Sequence, residues 1–501
     1  DLTRVNCTQN AGGNVDDLNE KVSLKVSIKN IEKGCRYQVQ IFNMFGQNKS
    51  PLIEPEVCTE YQGDWAICQK ALLIQYYFEK EQQLLIEVSK IIPDSIPSIF
   101  PVTTTLGCIM GSRKNTLEKN IPGLAETIVI KAENLQESYD ILVLKFDIKS
   151  NVAVNYNEIK NKIIFVLSTS TSKVYKSECI DNLGNFKPVK IPAALLSSSS
   201  PNNSLHLTFY DCKKKVVCDA ITSVQELINH KVYNIEMSKR RKFICTSNSY
   251  LTRNYTFVDY LQAGVQIGLS IAIDFTGSNG LPNQMSSLHY IGGPEPNQYE
   301  RAIYSCGNIV AYYDYDQLFP CYGFGANING TPTPIFNLNL TPDPNIHTIP
   351  NIIEEYHKAL NTVRLWGPTQ FGPILNTTNH MIRAEGNKLK YNILMILTDG
   401  MIDDVENTIN ELVNGSFLPL SVIIIGVGKA DFSTMNVLDA DENPLVSSAG
   451  VKASRDLVQF VPFLKYESDT QKLAQEVLAE VPKQILQYYE QNNLDPVKLT
   501  S

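Results

Sequence analysis

Two antiparallel β-sandwiches followed by a doubly wound α/β domain is the fold class that this sequence predicts. Three observations carry the prediction. Before residue 120, short runs alternate apolar with polar residues, as in Val22-Ser-Leu-Lys-Val-Ser-Ile28, and no long helical period interrupts them. After residue 250, short apolar runs alternate with helical segments, the grammar of a parallel sheet. A chain of 501 residues also exceeds one ordinary core, which sets about two to four domains.

In the first sandwich, expected over residues 21–122 after a polar leader at 1–20, Tyr37-Gln-Val-Gln-Ile-Phe42 repeats the alternation, and Ala71 to Ile74 and Leu84 to Val88 are further strands. The second, expected over 123–246, has strands at Ile128 to Ile130, Ile141 to Phe146, Lys162 to Leu167 and Leu205 to Phe209, with a polar loop from Ala194 to Asn203. Gln83-Leu-Leu-Ile-Glu-Val-Ser-Lys90 resembles Ser204-Leu-His-Leu-Thr-Phe-Tyr-Asp211, so the halves read as two repeats. Both have the size of C2 domains and are C2-like in outline.

Calcium needs about six to eight oxygens, and C2 domains that bind it gather several carboxylates on two loops. In the first module Lys90 stands where a ligand belongs, and no calcium is expected there. In the second, Asp147, Asp211 and Asp219 make at most a weak site, diluted by Lys213, Lys214 and Lys215. Those lysines, with Lys239, Arg240, Arg241 and Lys242, offer a calcium-independent contact to anionic lipid, although a charge run is more often a solvated face.

In the α/β domain, expected over 250–492 before a tail at 493–501, strands are predicted at Gly268 to Ile273, Ile309 to Tyr312, Tyr391 to Leu397 and Leu420 to Ile425. Helices are predicted at Ile352 to Thr362, Val405 to Val413 and Asp469 to Gln491, the last divided by Pro482. Ligands of such sheets sit beyond the carboxyl ends of the strands. Asp274 and Asp399 both stand at such ends, and Gly400 follows the second. Asp274, Thr276 and Ser278 are alternate oxygen-bearing residues after a buried strand, a set suited to a hard divalent cation. Serine, threonine and aspartate are also common turn residues, but a plain turn does not require this spacing. The stretch resembles the first loop of the metal-ion-dependent adhesion site of von Willebrand factor A domains. Asp403 and Asp404 read as a solvated helix start.

Tyr255-Thr-Phe-Val-Asp-Tyr260, Ala272-Ile-Asp-Phe-Thr-Gly-Ser-Asn-Gly280, Ser287-Leu-His-Tyr-Ile291, Phe319-Pro-Cys-Tyr-Gly-Phe-Gly-Ala326, Trp366-Gly-Pro-Thr-Gln-Phe371, Leu397-Thr-Asp-Gly400, Arg455 to Phe463 and Leu473 to Pro482 follow one another in the order found in copines. The second half of the chain resembles that family throughout; the first half resembles its tandem C2 plan without the calcium motif. The resemblance implies a von Willebrand factor A-like domain holding Mg²⁺ or Mn²⁺ through Asp274, Thr276, Ser278, Thr369 and Asp399, with a protein partner completing the coordination. It also implies phospholipid binding driven by calcium, which the eroded C2 loops argue against. His289 lies in one of the shared motifs and reads as structural.

Composition narrows the function classes. The net charge of −8 argues against a general nucleic-acid binder. With 43% apolar and 19% charged residues the chain is globular. No apolar run reaches membrane-spanning length, and the start at Asp1 is compatible with a removed leader. The eleven cysteines form no CxxC pair and read as reduced, mostly buried thiols of an intracellular, cytoplasmic protein with peripheral membrane or cytoskeletal association. Asn-x-Ser/Thr sequons, from Asn6 to Asn414, carry little weight in a chain rich in those residues. Against a metal-dependent hydrolase stands Thr276, which occupies the place where haloacid-dehalogenase-type phosphatases need an acid/base aspartate. Nor is there a nucleophile elbow, P-loop or HExxH motif. The expected function is therefore that of a non-enzymatic binding or scaffold protein, with a calcium-dependent membrane adaptor as the alternative.

Overall fold

The computed structural model describes residues 20–93, 95–135, 140–150, 162–181, 186–196, 200–211, 213–238, 241–439 and 444–500. The expected leader therefore falls outside the described residues except for Glu20. The chain divides into two compact units, one over Glu137–Tyr255 and the other over Asn14–Gln136 together with Thr256–Ser501.

The first sandwich contains β1 (Glu20–Lys29), β2 (Arg36–Phe45), β3 (Asn48–Pro51), β4 (Glu56–Val57), β5 (Glu60–Gln62), β6 (Trp65–Ile67), β7 (Leu72–Tyr76), β8 (Gln83–Ile91) and β9 (Ser98–Thr105). A short helix α1 (Leu106–Gly111) leads to β10 (Thr116–Asn120) and β11 (Thr127–Asn134). One sheet runs β10-β11-β1-β6-β5, with β7 also on β1; the other runs β3-β2-β8-β9, with β4 also on β2. Alternation fills the space between them: Val22, Leu24, Val26 and Ile28 of β1 and Leu84, Ile86 and Val88 of β8 are all buried.

The boundary expected at 122/123 moves to 136/137. Strand β11 pairs antiparallel with β1 from Val22↔Asn134 to Lys29↔Thr127, and so closes the first sandwich rather than opening the second. Pro122-Gly123, at the expected boundary, lies in the β10–β11 hairpin turn.

In the second sandwich the strands are β12 (Asp140–Leu144), β13 (Phe146–Ser150), β14 (Lys162–Ser168), β15 (Lys173–Lys176), β16 (Ile180–Asp181) and β17 (Val189–Pro192). Helix α2 (Ala193–Leu196), β18 (Leu205–Asp211), β19 (Val216–Thr222), helix α3 (Val224–Ile228), β20 (Val232–Ser238), β21 (Arg241–Ser247) and β22 (Tyr250–Arg253) complete it. Its sheets run β15-β14-β18-β19, β13-β21-β20 and β17-β12-β22. Strands β12 and β13 are one path broken at Lys145, whose N–H donates to Ser249 Oγ at 3.0 Å. With that break closed, the strand order repeats that of the first sandwich, so β18 takes the place of β8 as the sequence similarity implied. Phe146, Phe165, Phe209 and Tyr233 centre its core.

The third region follows α4 (Phe257–Gln262). Its sheet is built from β23 (Gln266–Asp274), β24 (Leu318–Ile328), β25 (Thr331–Asn337), β26 (Asn345–His347), β27 (Arg364–Leu365), β28 (Lys390–Thr398), β29 (Leu420–Gly426) and β30 (Val458–Pro462). The order is β25-β24-β23-β28-β29-β30; β24, β23, β28, β29 and β30 are mutually parallel, and β25 is an antiparallel edge. The principal helices are α5 (Gln298–Val310), α6 (Ile349–Thr362), α7 (Gly372–Glu385), α8 (Val405–Gly415), α9 (Ser433–Leu438), α10 (Thr470–Leu478) and α11 (Val481–Gln491). The strand expected at Ile309 to Tyr312 is instead the end of α5 and a 3₁₀ turn; Ala302, Ile303, Cys306, Ile309 and Val310 are buried at helical spacing. Pro482 sits in the first turn of α11, after the break the sequence suggested.

Within the second unit the first sandwich and the α/β domain share a buried seam. Glu20 of β1 accepts the backbone N–H groups of Phe257 and Val258 at 2.7 and 2.8 Å. Tyr76 and Tyr313 hydroxyls are 2.6 Å apart, and Phe78 packs edge-on to Phe257. A Cβ on Gly111 would stand 1.9 Å from the Tyr312 carbonyl oxygen, so only glycine admits this approach.

Candidate metal centre

Chain direction locates the site. From β23 the chain crosses to β24 on one side, whereas the later strands β28, β29 and β30 build outward on the other. The switch point lies between β23 and β28, where connections leave in opposite directions and open a crevice. Asp274 ends β23 and Asp399 follows the last residue of β28.

Both carboxylates are buried, Asp274 completely. Thr276 donates to Asp274 Oδ1 twice, through its N–H at 2.8 Å and its hydroxyl at 2.6 Å. Thr398, which the sequence reading did not single out, donates its hydroxyl to Asp274 Oδ2 at 2.7 Å. Ser278 donates to Asp399 Oδ1 at 3.0 Å, and the Thr276 and Ser278 hydroxyl oxygens are 2.9 Å apart. Either hydroxyl can donate in that last contact. Oxygens crowded in this way are the arrangement that a cation relieves. Burial first, and then the Asp399 charge, push the Asp274 carboxyl above its usual range; burial likewise raises Asp399. Among the described residues neither carboxylate has an ion-pair partner. The donor set fits a hard divalent ion.

Thr369 comes to this end through backbone bonds. Gly277 N–H donates to the Trp366 carbonyl at 2.8 Å, and Thr276 and Trp366 form a parallel bridge. At the other end of the segment Asp403 N–H donates to the Thr369 carbonyl at 2.8 Å, and Asp403 Oδ2 accepts Thr369 N–H at 2.8 Å. The 366–369 loop is thus tied at its start to the Asp274 loop and at its end to the Asp399 loop. Asp403 and Asp404, expected as a solvated helix start, are structural. Asp404 accepts the N–H groups of Phe371 and Gly372 at 3.0 and 2.9 Å, which caps α7 from across the chain.

His289 supports the site from beneath. Its ring stacks between Phe275 and Tyr299, and Nδ1 lies 2.7 Å from the Tyr356 hydroxyl. Burial lowers its pKa to about 3, only partly offset by the Asp274 backbone carbonyl, so the ring is neutral. Leu281, Met285, Trp366 and Met401, which flank these loops in sequence, are exposed, and the Arg364 guanidinium lies over the Trp366 ring at 5.1 Å.

The second sandwich does not assemble its acids. Asp211 Oδ1 accepts the N–H groups of Lys213 and Lys215, both at 2.9 Å, inside the β18–β19 turn. Asp219 accepts the Thr208 hydroxyl at 2.7 Å on a strand, and Asp147 on β13 accepts Asn248. Among the described residues no group of three or more acidic, histidine or cysteine side chains could hold a metal. In the first sandwich, Lys90 places its ammonium between Glu32 and Glu126 at 2.6 and 2.8 Å, an internal cation at the expected calcium position. Lys213, Lys214 and Lys215 are exposed. Lys239 and Arg240 lie outside the described residues, as do the side chains of Arg241 and Lys242 in β21.

Solved structures with partial similarity include manganese-loaded Plasmodium vivax TRAP protein, at 13% identity over 40% of this chain and 70% of that one, with a TM-score of 0.28. The SpRpn10 VWA domain matches at 12% identity over 40% of this chain and 88% of that one, with a TM-score of 0.27. The paired C2 domains of Extended-Synaptotagmin 2 match at 12% identity over 50% of this chain and 97% of theirs, with a TM-score of 0.18. The family model named Copine matches residues 287–497, a span that opens after the Asp274 loop and contains Thr369 and Asp399. Residues 287–497 of this chain are a copine domain.

Proposed function

We propose that this chain is a non-enzymatic binding protein whose α/β domain holds Mg²⁺ or Mn²⁺ at Asp274, Thr276, Ser278, Thr369 and Asp399 and uses the ion to recognise a protein partner. The observation that carries this reading is the hydrogen-bonded run Asp274–Thr276–Ser278–Asp399, four oxygen-bearing side chains from two strand ends at the switch point. Two carboxylates balance a divalent ion, while neutral hydroxyls leave it electrophilic toward an acidic group on a partner. Leu281, Met285, Trp366 and Met401, which flank the proposed ligands in sequence, are exposed, and exposed apolar side chains there favour a protein surface over a small substrate.

The sandwiches serve as docking modules toward protein or an anionic membrane, through Lys213, Lys214 and Lys215 rather than through calcium. The internal Lys90–Glu126 pair supports that choice over the calcium-dependent adaptor. An intracellular, peripheral membrane or cytoskeletal location accords with it.

Calorimetric titration of Mg²⁺ into the wild type and into Asp274→Ala tests the centre. Binding by the wild type and a loss of at least about tenfold in the variant are expected, because a buried anionic ligand is removed. Equal binding by both would overturn the assignment. Hydrolysis of a generic phosphate ester that disappears with Asp274→Ala would replace the binding reading by the hydrolase.

A further inference from the structure

Two cysteines far from the metal centre in sequence meet inside the first sandwich. Cys58 Sγ and Cys68 Sγ are 3.0 Å apart, and both side chains are buried. A disulfide needs about 2.05 Å between the sulfurs, so a shift of about 1 Å would join them.

Their backbone anchors give the contact a meaning. Cys58 follows β4, which pairs with β2, and its N–H donates to the Tyr37 carbonyl at 2.8 Å. Cys68 follows β6, which pairs with β1, and its N–H donates to the Val26 carbonyl at 3.1 Å. Strands β2 and β1 belong to opposite sheets. The thiols therefore close the gap between the sheets at the base of the 58–68 strap. Glu56, also buried, fixes the same strap by accepting the N–H groups of Gln69 and Lys70 at 2.7 and 2.8 Å.

We infer that Cys58 and Cys68 are a built-in oxidation site, which forms an inter-sheet disulfide by exchange with a small-molecule disulfide of the oxidised-glutathione class. One cysteine thiolate attacks the small disulfide, giving a mixed disulfide and releasing one small thiol. The second cysteine sulfur displaces the other small thiol and forms the Sγ–Sγ bond. The electron pair and both cysteine protons leave on the two small thiols, so the small disulfide is reduced as the protein is oxidised. The hydrogen bond with Cys58, in which the protonated Cys68 thiol donates, and then burial raise the Cys68 thiol above the usual range. Exchange is accordingly slow and follows opening of the strap, whose β5 segment is partly exposed.

The test uses the full chain in buffers of graded reduced and oxidised glutathione, with acid quench, alkylation and peptide mass mapping. A linked Cys58–Cys68 peptide is expected, with an upward shift in the unfolding midpoint of about 5 °C from closing an eleven-residue loop, reversed by reductant. Cys58→Ser should abolish both the link and the shift. Exposed Cys179 provides the internal comparison. If Cys179 is modified while Cys58 and Cys68 stay fully alkylatable after long incubation, the pair is only core packing and the inference fails. It also fails if the midpoint of Cys58→Ser still rises by the same amount.

Discussion

At Gly325, in β24, the backbone φ is +73°, and a Cβ would stand 2.4 Å from Thr276 Cγ2 and 3.4 Å from the Pro368 carbonyl oxygen. The glycine is therefore the floor on which the first and second loops of the proposed metal site approach each other. Gly325→Ala pays the left-handed backbone penalty, roughly 1 kcal/mol, and adds a clash on a proposed ligand. We expect a loss of about 2–3 kcal/mol in stability of the α/β domain and a Mg²⁺ affinity reduced at least tenfold. Thermal melts and calorimetry check this, and an unchanged affinity would show that the Thr276 position is not critical. Gly400 is the contrast. Nothing lies within 4 Å of its would-be Cβ, so Gly400→Ala should leave binding intact although that glycine supported the reading of Asp399 from the sequence. Spacing after a strand made Asp274, Thr276 and Ser278 legible. It did not reveal Thr398, Asp403 or Asp404, because their partners are remote in the chain and nothing in a local pattern marks a cap supplied from 32 residues away.

Among the elements, the seam between β1 and α4 carries the most unusual charge. Burial, opposed by the backbone N–H groups of Phe257 and Val258 and aided by the Asp259 charge, raises the Glu20 carboxyl from its ordinary 4.5 to about 7. A carboxyl whose folded value lies above its unfolded value gives stability that is complete below pH 4.5 and is lost as the pH rises through 7. The span corresponds to about 3 kcal/mol. Glu20→Gln keeps an acceptor for the helix N–H groups but does not titrate there. Denaturant unfolding from pH 4.5 to 8 should show wild-type stability falling relative to Glu20→Gln by roughly that amount. Parallel curves would mean that Glu20 does not govern the seam. The same scale shows what the sequence could not resolve. The alternation of Ile128 to Ile130 marks a strand but not its partner, and only the pairing of β11 with β1 assigns it to the first sandwich. The apolar run Ile309 to Tyr312 fits strand or helix equally, and only the buried stripe of α5 decides.

At the scale of the whole molecule, the chain is not three domains in series. The chain leaves one compact unit after Gln136 and re-enters it at Thr256, so the second sandwich is an insertion in sequence. The two ends of the interruption are held together. Asn134 Nδ2 donates to Thr256 Oγ1 at 2.7 Å and to Asp259 Oδ1 at 2.9 Å. Glu20, Tyr76 and Phe78 bind the first sandwich to the α/β domain independently of residues 137–255. The inserted unit has a core of its own around Phe146, Phe165 and Phe209. Replacing 137–255 by a glycine–serine linker of about four to six residues, which spans the gap without strain, should leave the remainder folded. Its Mg²⁺ binding should match that of the full chain, because the three loops of the proposed metal centre all belong to the retained unit. Its pelleting with anionic vesicles in chelator, if Lys213, Lys214 and Lys215 are the contact, should disappear, whereas the full chain pellets at low salt and is released at high salt. Retained pelleting would move the membrane contact to the first sandwich or the α/β domain. Loss of folding in the deletion would show that the insertion supports the seam that Glu20 and Tyr76 otherwise close alone.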